Sequence, residues 1–319
     1  MQEVLMELKK EKTRVGFGHG LVDLGEKDER VVVLTADVKG SVNVNFFADK
    51  FPERFVQCGV QEQNMTLVGA GLSLLGKIAF ISTYSCFAAY RNLDMIRISL
   101  CYSNVNVKIG ASHGGLMTGP DGATHQALEE FAIMRALPNM KLIVPCDYWE
   151  ARKATIAAAG IDGPVYLRLG RESVPMLTNE ETPFEFGKGS VMRDGGDVAI
   201  VACGVMVYEA MVAAEALAGE GIDCRVINLH TLKPIDSGIL TQAATECGAI
   251  VTAEEHQIHG GLGSAVADTI ALTHPVPIEY VAVKDSFGQS GTAEELLTAY
   301  GLKATNIVDA VNLVLKRKR

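Results

Sequence analysis

The sequence has no long hydrophobic run. No uninterrupted apolar stretch reaches the ~18 residues that a membrane-spanning helix needs, so no membrane span is expected. It has no excess of basic charge either. Lys and Arg number 29 against 38 Asp and Glu, a net charge of −9, and such a chain lacks the basic face that neutralises nucleic-acid phosphates. A local basic pocket for a small anionic substrate stays open. The seven cysteines (Cys58, Cys86, Cys101, Cys146, Cys203, Cys224 and Cys247) are odd in number, no two are spaced CxxC, and most lie among apolar residues. They read as buried free thiols of a reducing compartment, which excludes a disulfide framework. Residues 1–14 are charged and helix-like, with no apolar signal core. A cytoplasmic protein with neither nucleic-acid nor membrane partners is expected.

What is present is material for packed cores. The 319 residues suffice for about two domains of roughly 150 residues. The apolar fraction is 48% and the charged fraction 21%, as in globular chains and unlike disordered ones. Short β-branched runs at 31–35, 78–82, 105–111, 141–144 and 165–169 predict strands. Segments of helical period lie between them, at 21–26, 63–75, 88–101, 128–136 and 149–159. The alternation pauses over 172–189, a stretch holding Pro175, Pro183, Gly187 and Gly189. It resumes with strands at 198–203, 223–229, 250–254 and 278–282, a helix at 208–218 and a last helix at 307–315. Strand–helix alternation predicts an α/β fold of two doubly wound domains with mostly parallel sheets, 1–180 and 181–319.

Several apparent motifs fail on context. Gly71 to Lys77 spells GxxxxGK, but it sits in a helical pattern ahead of a strand, and Ile78 stands where a phosphate loop needs Ser or Thr. Gly261-Leu262-Gly263 does not complete a dinucleotide fingerprint. His256 and His259 have no further His or Glu at metal-ligand spacing and read as turn histidines. Asp194-Gly195-Gly196-Asp197 reads as a turn before a strand.

Three segments carry chemistry when taken together. The first, Gly59-Val60-Gln61-Glu62-Gln63-Asn64-Met65, follows an expected strand and opens an apolar helix. In isolation the positive end of the helix dipole accounts for its glutamate. The second runs from Thr83 to Tyr90 and places Tyr84, Phe87 and Tyr90 three apart, along one helical face, in a chain only 6% aromatic. It is either a core stripe or a stacking wall for a flat ring. The third runs from His113 to Gln126: two histidines, His113 and His125, with Asp121, in a glycine-rich loop between a strand and a helix. Open α/β sheets bind ligands at that end of a parallel strand, and a polar loop so rich in glycine is entropically expensive to order.

In this order the three segments resemble the C-terminal half of transketolase, and the resemblance covers nearly the whole chain. Gly119 to Gln126, Leu137-Pro138-Asn139-Met140, Arg168 to Ser173 and Asn228 to Asp236 carry it further. It implies a pyrimidine-binding domain over 1–180 followed by the family's C-terminal domain over 181–319. It also implies thiamine diphosphate as cofactor, and transfer of a two-carbon ketol unit between a ketose phosphate and an aldose phosphate of the pentose-phosphate kind.

The resemblance assigns roles residue by residue. Glu62 matches the glutamate that bonds a ring nitrogen of the aminopyrimidine and so favours its proton-abstracting imino form. That role needs a protonated carboxyl, which the apolar neighbours Val60, Met65 and Leu67 would favour. Tyr84, Phe87 and Tyr90 match the aromatics around the pyrimidine, and Asp37 a residue lining the cofactor site. His113 and His125 match substrate-side histidines, with His125 at the donor hydroxyls and His113 at the sugar phosphate. Asp121 matches the reader of hydroxyl stereochemistry. Arg14, Ser41 and Arg171 match phosphate-binding positions, for which the planar guanidinium fork is suited, although a surface ion pair also explains the two arginines. Gln63 departs from the pattern, since transketolases commonly have histidine there.

The family's diphosphate anchor, Gly-Asp-Gly with a downstream Asn, is missing. The resemblance therefore implies a separate N-terminal subunit that holds the diphosphate through magnesium or calcium, with no metal ligand on this chain. It further implies two copies of each chain in a heterotetramer. Two related readings keep the cofactor: a deoxyxylulose-phosphate-synthase-like half, which usually has arginine where His113 stands, and a 2-oxoacid dehydrogenase β-type subunit, which usually lacks the Asp-Gly-x-Thr-His-Gln run of 121–126. A non-catalytic binding or regulatory module is the reading from another class. The intact Glu62, Tyr84, Phe87, Asp121 and His125 count against it.

Overall fold

The computed structural model describes Leu5 and residues 7–318. The chain opens with β1 (Lys10–Lys12) and α1 (Thr13–Lys27), then β2 (Val31–Thr35), α2 (Asn45–Lys50) and β3 (Phe55–Gln57). Next come α3 (Glu62–Leu74), β4 (Ile78–Tyr84) and β5 (Val107–Ser112), followed by α4 (Glu130–Ala136), β6 (Lys141–Ile143), α5 (Tyr148–Ala159), β7 (Val165–Arg168) and β8 (Ser173–Pro175). The second half comprises β9 (Ser190–Arg193), β10 (Val198–Ala202), α6 (Met206–Ala218), β11 (Cys224–Asn228) and β12 (Thr231–Lys233). It closes with α7 (Ser237–Cys247), β13 (Ile250–Gln257), α8 (Leu262–Leu272), β14 (Ile278–Val283), α9 (Ala293–Ala299) and α10 (Ala304–Arg317).

The fold is α/β with mostly parallel sheets. The first sheet runs β12-β6-β7-β5-β4-β2-β3, the second β14-β13-β10-β11-β9, and β1 and β8 form a separate two-stranded ribbon. Every residue of β2, β5, β7 and β10 is buried, as expected of parallel strands with helices on both faces. The alternation along β2 shows how the layers form. Val31 and Val33 join the core of Phe17 and Leu21 from α1, while Val32 and Leu34 join Met65 of α3 on the opposite face. Each fully buried Val or Leu contributes about 1.5–3 kcal/mol, so a slip of one residue in this strand would be strongly disfavoured. The core around α3 is continuous with that of Ala199, Val201, Leu240 and Val266, so the two sheets share apolar packing through α7 and α8.

Three local expectations change. The helix-like start is a strand at Lys10–Lys12, paired antiparallel with β8, and α1 begins only at Thr13; residues 1–4 and 6 lie outside the described residues. The expected helix at 88–101 is mostly π-helical, with wide turns at Phe87–Arg91 and Ile96–Tyr102 about a short α turn at Leu93–Met95. Its backbone is held from outside: the Gln63 side-chain amide donates to the Arg91 carbonyl at 3.2 Å. The third change is β12, which follows the expected boundary yet pairs antiparallel with β6 at the edge of the first sheet.

Candidate functional site

The parallel strands of the first sheet all end on one side, and the chemistry-bearing residues gather there. Glu62 opens α3 beyond β3, Tyr84 ends β4, His113 follows β5 and Arg171 follows β7. Arg14 reaches the same place from the first turn of α1, donating from Nε to the Arg171 carbonyl at 3.2 Å and from Nη1 to the Ser41 carbonyl.

Glu62 is buried, with 2% of its surface exposed. It lies at the amino end of a 13-residue helix, where the dipole favours a negative charge. Its Oε2 is 3.2 Å from Nη1 of Arg91, whose guanidinium also lies over the Phe87 ring at 5.1 Å. The neighbours expected to surround it with apolar atoms do so only in part. Met65 is buried, but Val60 and Leu67 are 66% and 44% exposed. The reason is helical phase: Met65 faces the sheet from the turn above Glu62, while Leu67 points away from it.

Tyr84 and Phe87 stack at 5.9 Å and 21°, although the pair straddles a strand end and a π-helical turn and not one helical face. The imidazoles pack on them: His113 is 4.1 Å from Tyr84, and His125 meets Phe87 edge-on at 5.3 Å. Tyr90 departs from the expected wall. Among the described residues no ring pair involves it; its hydroxyl donates to the Glu129 carboxylate and accepts the backbone N–H of Leu128 at 3.1 Å. This contact ties the aromatic segment to the start of α4.

His113 is buried in the left-handed backbone region (φ 59°), with Nδ1 2.9 Å from Ser112 Oγ. Burial pushes its pKa down to about 3, and the Arg14 and Arg171 charges add to the effect. The imidazole is therefore neutral at physiological pH. Burial, then the nearby Arg171, also lowers the Arg14 pKa. Asp121 pairs with Arg171 at 3.2 Å, and Arg171 also donates to the Thr118 carbonyl. The arginines are thus internally partnered as well as close to one another, which is more than a surface ion pair. Asp37 stands apart: it is exposed at φ 62°, and its hydrogen bonds go to Gln57, not to the other site residues.

The arrangement offers a buried carboxyl and a stacked aromatic pair on one side, suited to a flat heteroaromatic ring. On the other it offers imidazoles, a carboxylate and two guanidinium groups, suited to a hydroxylated anion. No group of three or more His, Cys, Asp or Glu that could hold a metal ion occurs among the described residues, and no described helix is long and apolar enough to cross a membrane.

Sequence reasoning passed over Arg91 and misjudged His256. Arg91 directly follows the last aromatic, and a charge closing an apolar helical run was the available signal. His256 is no turn histidine. It is buried in β13, stacks on Phe131 at 4.6 Å and accepts the Phe131 N–H at 3.1 Å, while burial pushes its pKa down to about 3. All the cysteines are free; six are buried and Cys58 is half-buried.

The comparisons with known proteins agree in one direction. The family described as "Transketolase, pyrimidine binding domain" matches residues 9–176, and "Transketolase, C-terminal domain" matches residues 187–307. A solved structure titled "Split gene transketolase, inactive beta4 tetramer" is 46% identical, with TM-score 0.89, covering 97% of this chain and 99% of that one. The 6-deoxy-6-sulfo-D-fructose transketolase subunit SqwH of Clostridium sp. (strain MSTE9) is 41% identical, over 93% of this chain and 92% of its own length. One of the subunits of the apulose-4-phosphate transketolase of Phocaeicola vulgatus is 37% identical, over 92% of this chain and 94% of its own length.

Proposed function

The chain belongs to the transketolase family, and from that premise we propose that it is the pyrimidine-binding subunit of a two-chain, thiamine-diphosphate-dependent transketolase. In this reading it moves a two-carbon ketol unit from a ketose phosphate to an aldose phosphate once an N-terminal subunit is bound. The observation that carries the reading is the burial of Glu62 at the head of α3, at the strand ends that also bear the stacked Tyr84 and Phe87 and the imidazoles of His113 and His125.

The residues fit one end of the cofactor. A buried carboxyl and a stacked aromatic pair match an aminopyrimidine, whereas the Gly-Asp-Gly…Asn anchor for the diphosphate and its metal is absent from the sequence and is assigned to the partner. When bound, thiamine diphosphate supplies the carbon nucleophile and the electron sink. This chain's own residues bind, orient and handle protons. Glu62 holds a ring nitrogen and shares a proton with it. Tyr84 and Phe87 pack the ring and Tyr90 braces the wall from the α4 side, while Asp37, beyond the end of β2, is left without a role in this reading. His125 and Asp121 bond sugar hydroxyls, and neutral His113 acts as hydrogen-bond partner to the sugar phosphate. Arg14, Ser41 and Arg171 take its phosphate. Residues 1–180 form the pyrimidine-binding domain and 181–319 the C-terminal domain.

Exposed apolar side chains on α3 and the π-helical stretch are suited to contact the partner subunit. Leu67 and Leu74, seven apart on α3, are exposed together with Val60, and so are Ile98 and Tyr102 on the packed π-helical stretch. The N-terminal subunit, with a second copy of each chain, would cover this face. Relatives named for a sulfo-sugar and for apulose phosphate show that substrates differ within the family, so the sugar pair must be measured.

The test is reconstitution with a separate subunit that carries the Gly-Asp-Gly…Asn domain. Ketol transfer between sugar phosphates supports the reading, and 2-oxoacid-dependent acylation of a lipoyl domain overturns it. Calorimetry on this chain alone should detect little thiamine diphosphate binding, and tight unaided binding would contradict the split site.

A further inference from the structure

We infer that Glu255, on the second sheet, is a positioning residue for the loop that carries His113, Asp121 and His125; the inference rests on the sugar-phosphate reading above. Glu255 lies in β13, far from that loop in sequence, and its carboxylate is 2% exposed. The two oxygens have separate tasks. Oε1 accepts the backbone N–H of Met117 at 2.7 Å, and Oε2 accepts from Nη2 of Arg168 at 2.8 Å. Arg168, buried at the end of β7, lies 3.4 Å from the Glu130 carboxylate on its other side.

The loop is built around this pair. Gly115 has φ 79°, and a Cβ there would fall inside the Arg168 guanidinium and the Glu255 carboxylate. At Gly114 a Cβ would strike Arg168. Only glycine lets the backbone lie directly on the two charged groups. Beyond Met117, the Thr118 hydroxyl donates to the His113 carbonyl at 2.6 Å, and the Thr118 carbonyl receives Arg171, which pairs with Asp121 at 3.2 Å. The far end is held twice: the Gln126 side-chain amide donates to the Leu116 carbonyl within the loop at 3.3 Å and to the Gln289 carbonyl of the second half at 3.0 Å. One buried carboxylate of the second sheet thus fixes the turn from which the imidazole of His113 and the Arg171–Asp121 pair are set. A charge-assisted bond to a backbone N–H in a buried site is well suited to hold a loop in one conformation.

The bland reading is an ion pair that only fastens the two sheets. Hydrogen exchange of the free chain and kinetics of the reconstituted enzyme separate the two. In Glu255→Ala, amides over 114–126 should exchange at least about tenfold faster, a local loss of protection, while the β2 and β4 amides keep their wild-type rates. The KM for sugar phosphate should rise about tenfold, with kcat within about threefold. If Glu255→Ala does not fold, Glu255→Gln, which keeps an oxygen for Met117 but drops the charge facing Arg168, should show the same changes in smaller measure. Unchanged loop exchange in a variant whose melting temperature falls overturns the inference. Failure of ketol transfer by the wild-type complex would overturn the functional reading alone, since the exchange measurement does not depend on it.

Discussion

Glu62 and Arg91 form an ion pair of unequal burial: the carboxylate side chain is 2% exposed and the guanidinium 51%, with Oε2 and Nη1 3.2 Å apart. Arg91 sits against Glu62 as the more exposed partner of the pair. Its position over Phe87 keeps it there in the free chain. In the proposed reading, a cofactor ring nitrogen that bonds Glu62 competes with Arg91 for the carboxyl.

Replacement of Arg91 by Met should therefore strengthen cofactor binding. Partly exposed pairs contribute about 1 kcal/mol or less, so the gain in thiamine diphosphate affinity of the reconstituted enzyme is expected to be about fivefold. Calorimetry on the wild-type and Arg91→Met complexes checks it. A loss of affinity would mean that Arg91 supports Glu62 and does not compete for it.

His113 should remain neutral wherever the enzyme is active. With its pKa pushed from 6.5 down to about 3 by burial and the adjacent Arg14, it takes up a proton in the unfolded chain before it does so in the folded one. Its contribution to stability is therefore complete above about 6.5 and is lost as pH falls toward 3. In ring-labelled protein, NMR should show no titration of His113 above pH ~5. His113→Asn should raise the KM for sugar phosphates by about tenfold, about 1.4 kcal/mol, without creating a new acid limb in the rate profile. A His113 titration near pH 6.5 would contradict the buried placement.

Glu130 should act on stability in the opposite direction. It is fully buried against Arg168, and burial outweighs that charge, raising its pKa from 4.5 to about 8, with Glu255 and Glu129 adding to the rise. The folded chain keeps this proton where the unfolded chain has lost it, so stability declines as pH rises through the window from 4.5 to 8. Glu130→Gln should remove that slope, stabilising the chain at pH 8.5 by on the order of 4 kcal/mol relative to its effect at pH 5. Paired thermal melts at the two pH values measure it, and parallel shifts at both would contradict the assignment.

Strands buried on both faces were legible because their whole run is apolar: Val31 to Thr35 and Val198 to Ala202 need no periodicity to be read. Lys10–Lys12 and Thr231–Lys233 were not, because such short polar stretches become strands only through their partners, β8 and β6. The end of β13 misled for a related reason. His256 reads as a turn residue just past the strand expected at 250–254, but the strand continues to Gln257, Glu254 accepts the N–H groups of Leu262 and Gly263, and His256 is stacked on Phe131. In the candidate site, Glu62, Tyr84, Phe87 and His113 could be grouped because each stands at or just past an end of a regular element on the same side of the sheet, with His125 in the glycine-rich loop that His113 opens. Arg91 was marked only as a charge closing an apolar run, Glu255 not at all, and the partners of both are remote in sequence. Arg91 meets Glu62 across 29 positions, and Glu255 meets Met117 across 138.

The most direct measurement is ketol transfer by a complex in which Glu62 is replaced by Ala. Turnover should fall by about a hundredfold to ten-thousandfold, the usual effect of losing a proton-handling group, while subunit association and the melting temperature stay close to wild type. A Glu62→Ala complex that works at the wild-type rate would remove the carboxyl from the chemistry, and with it the assignment of this chain as the pyrimidine-binding half.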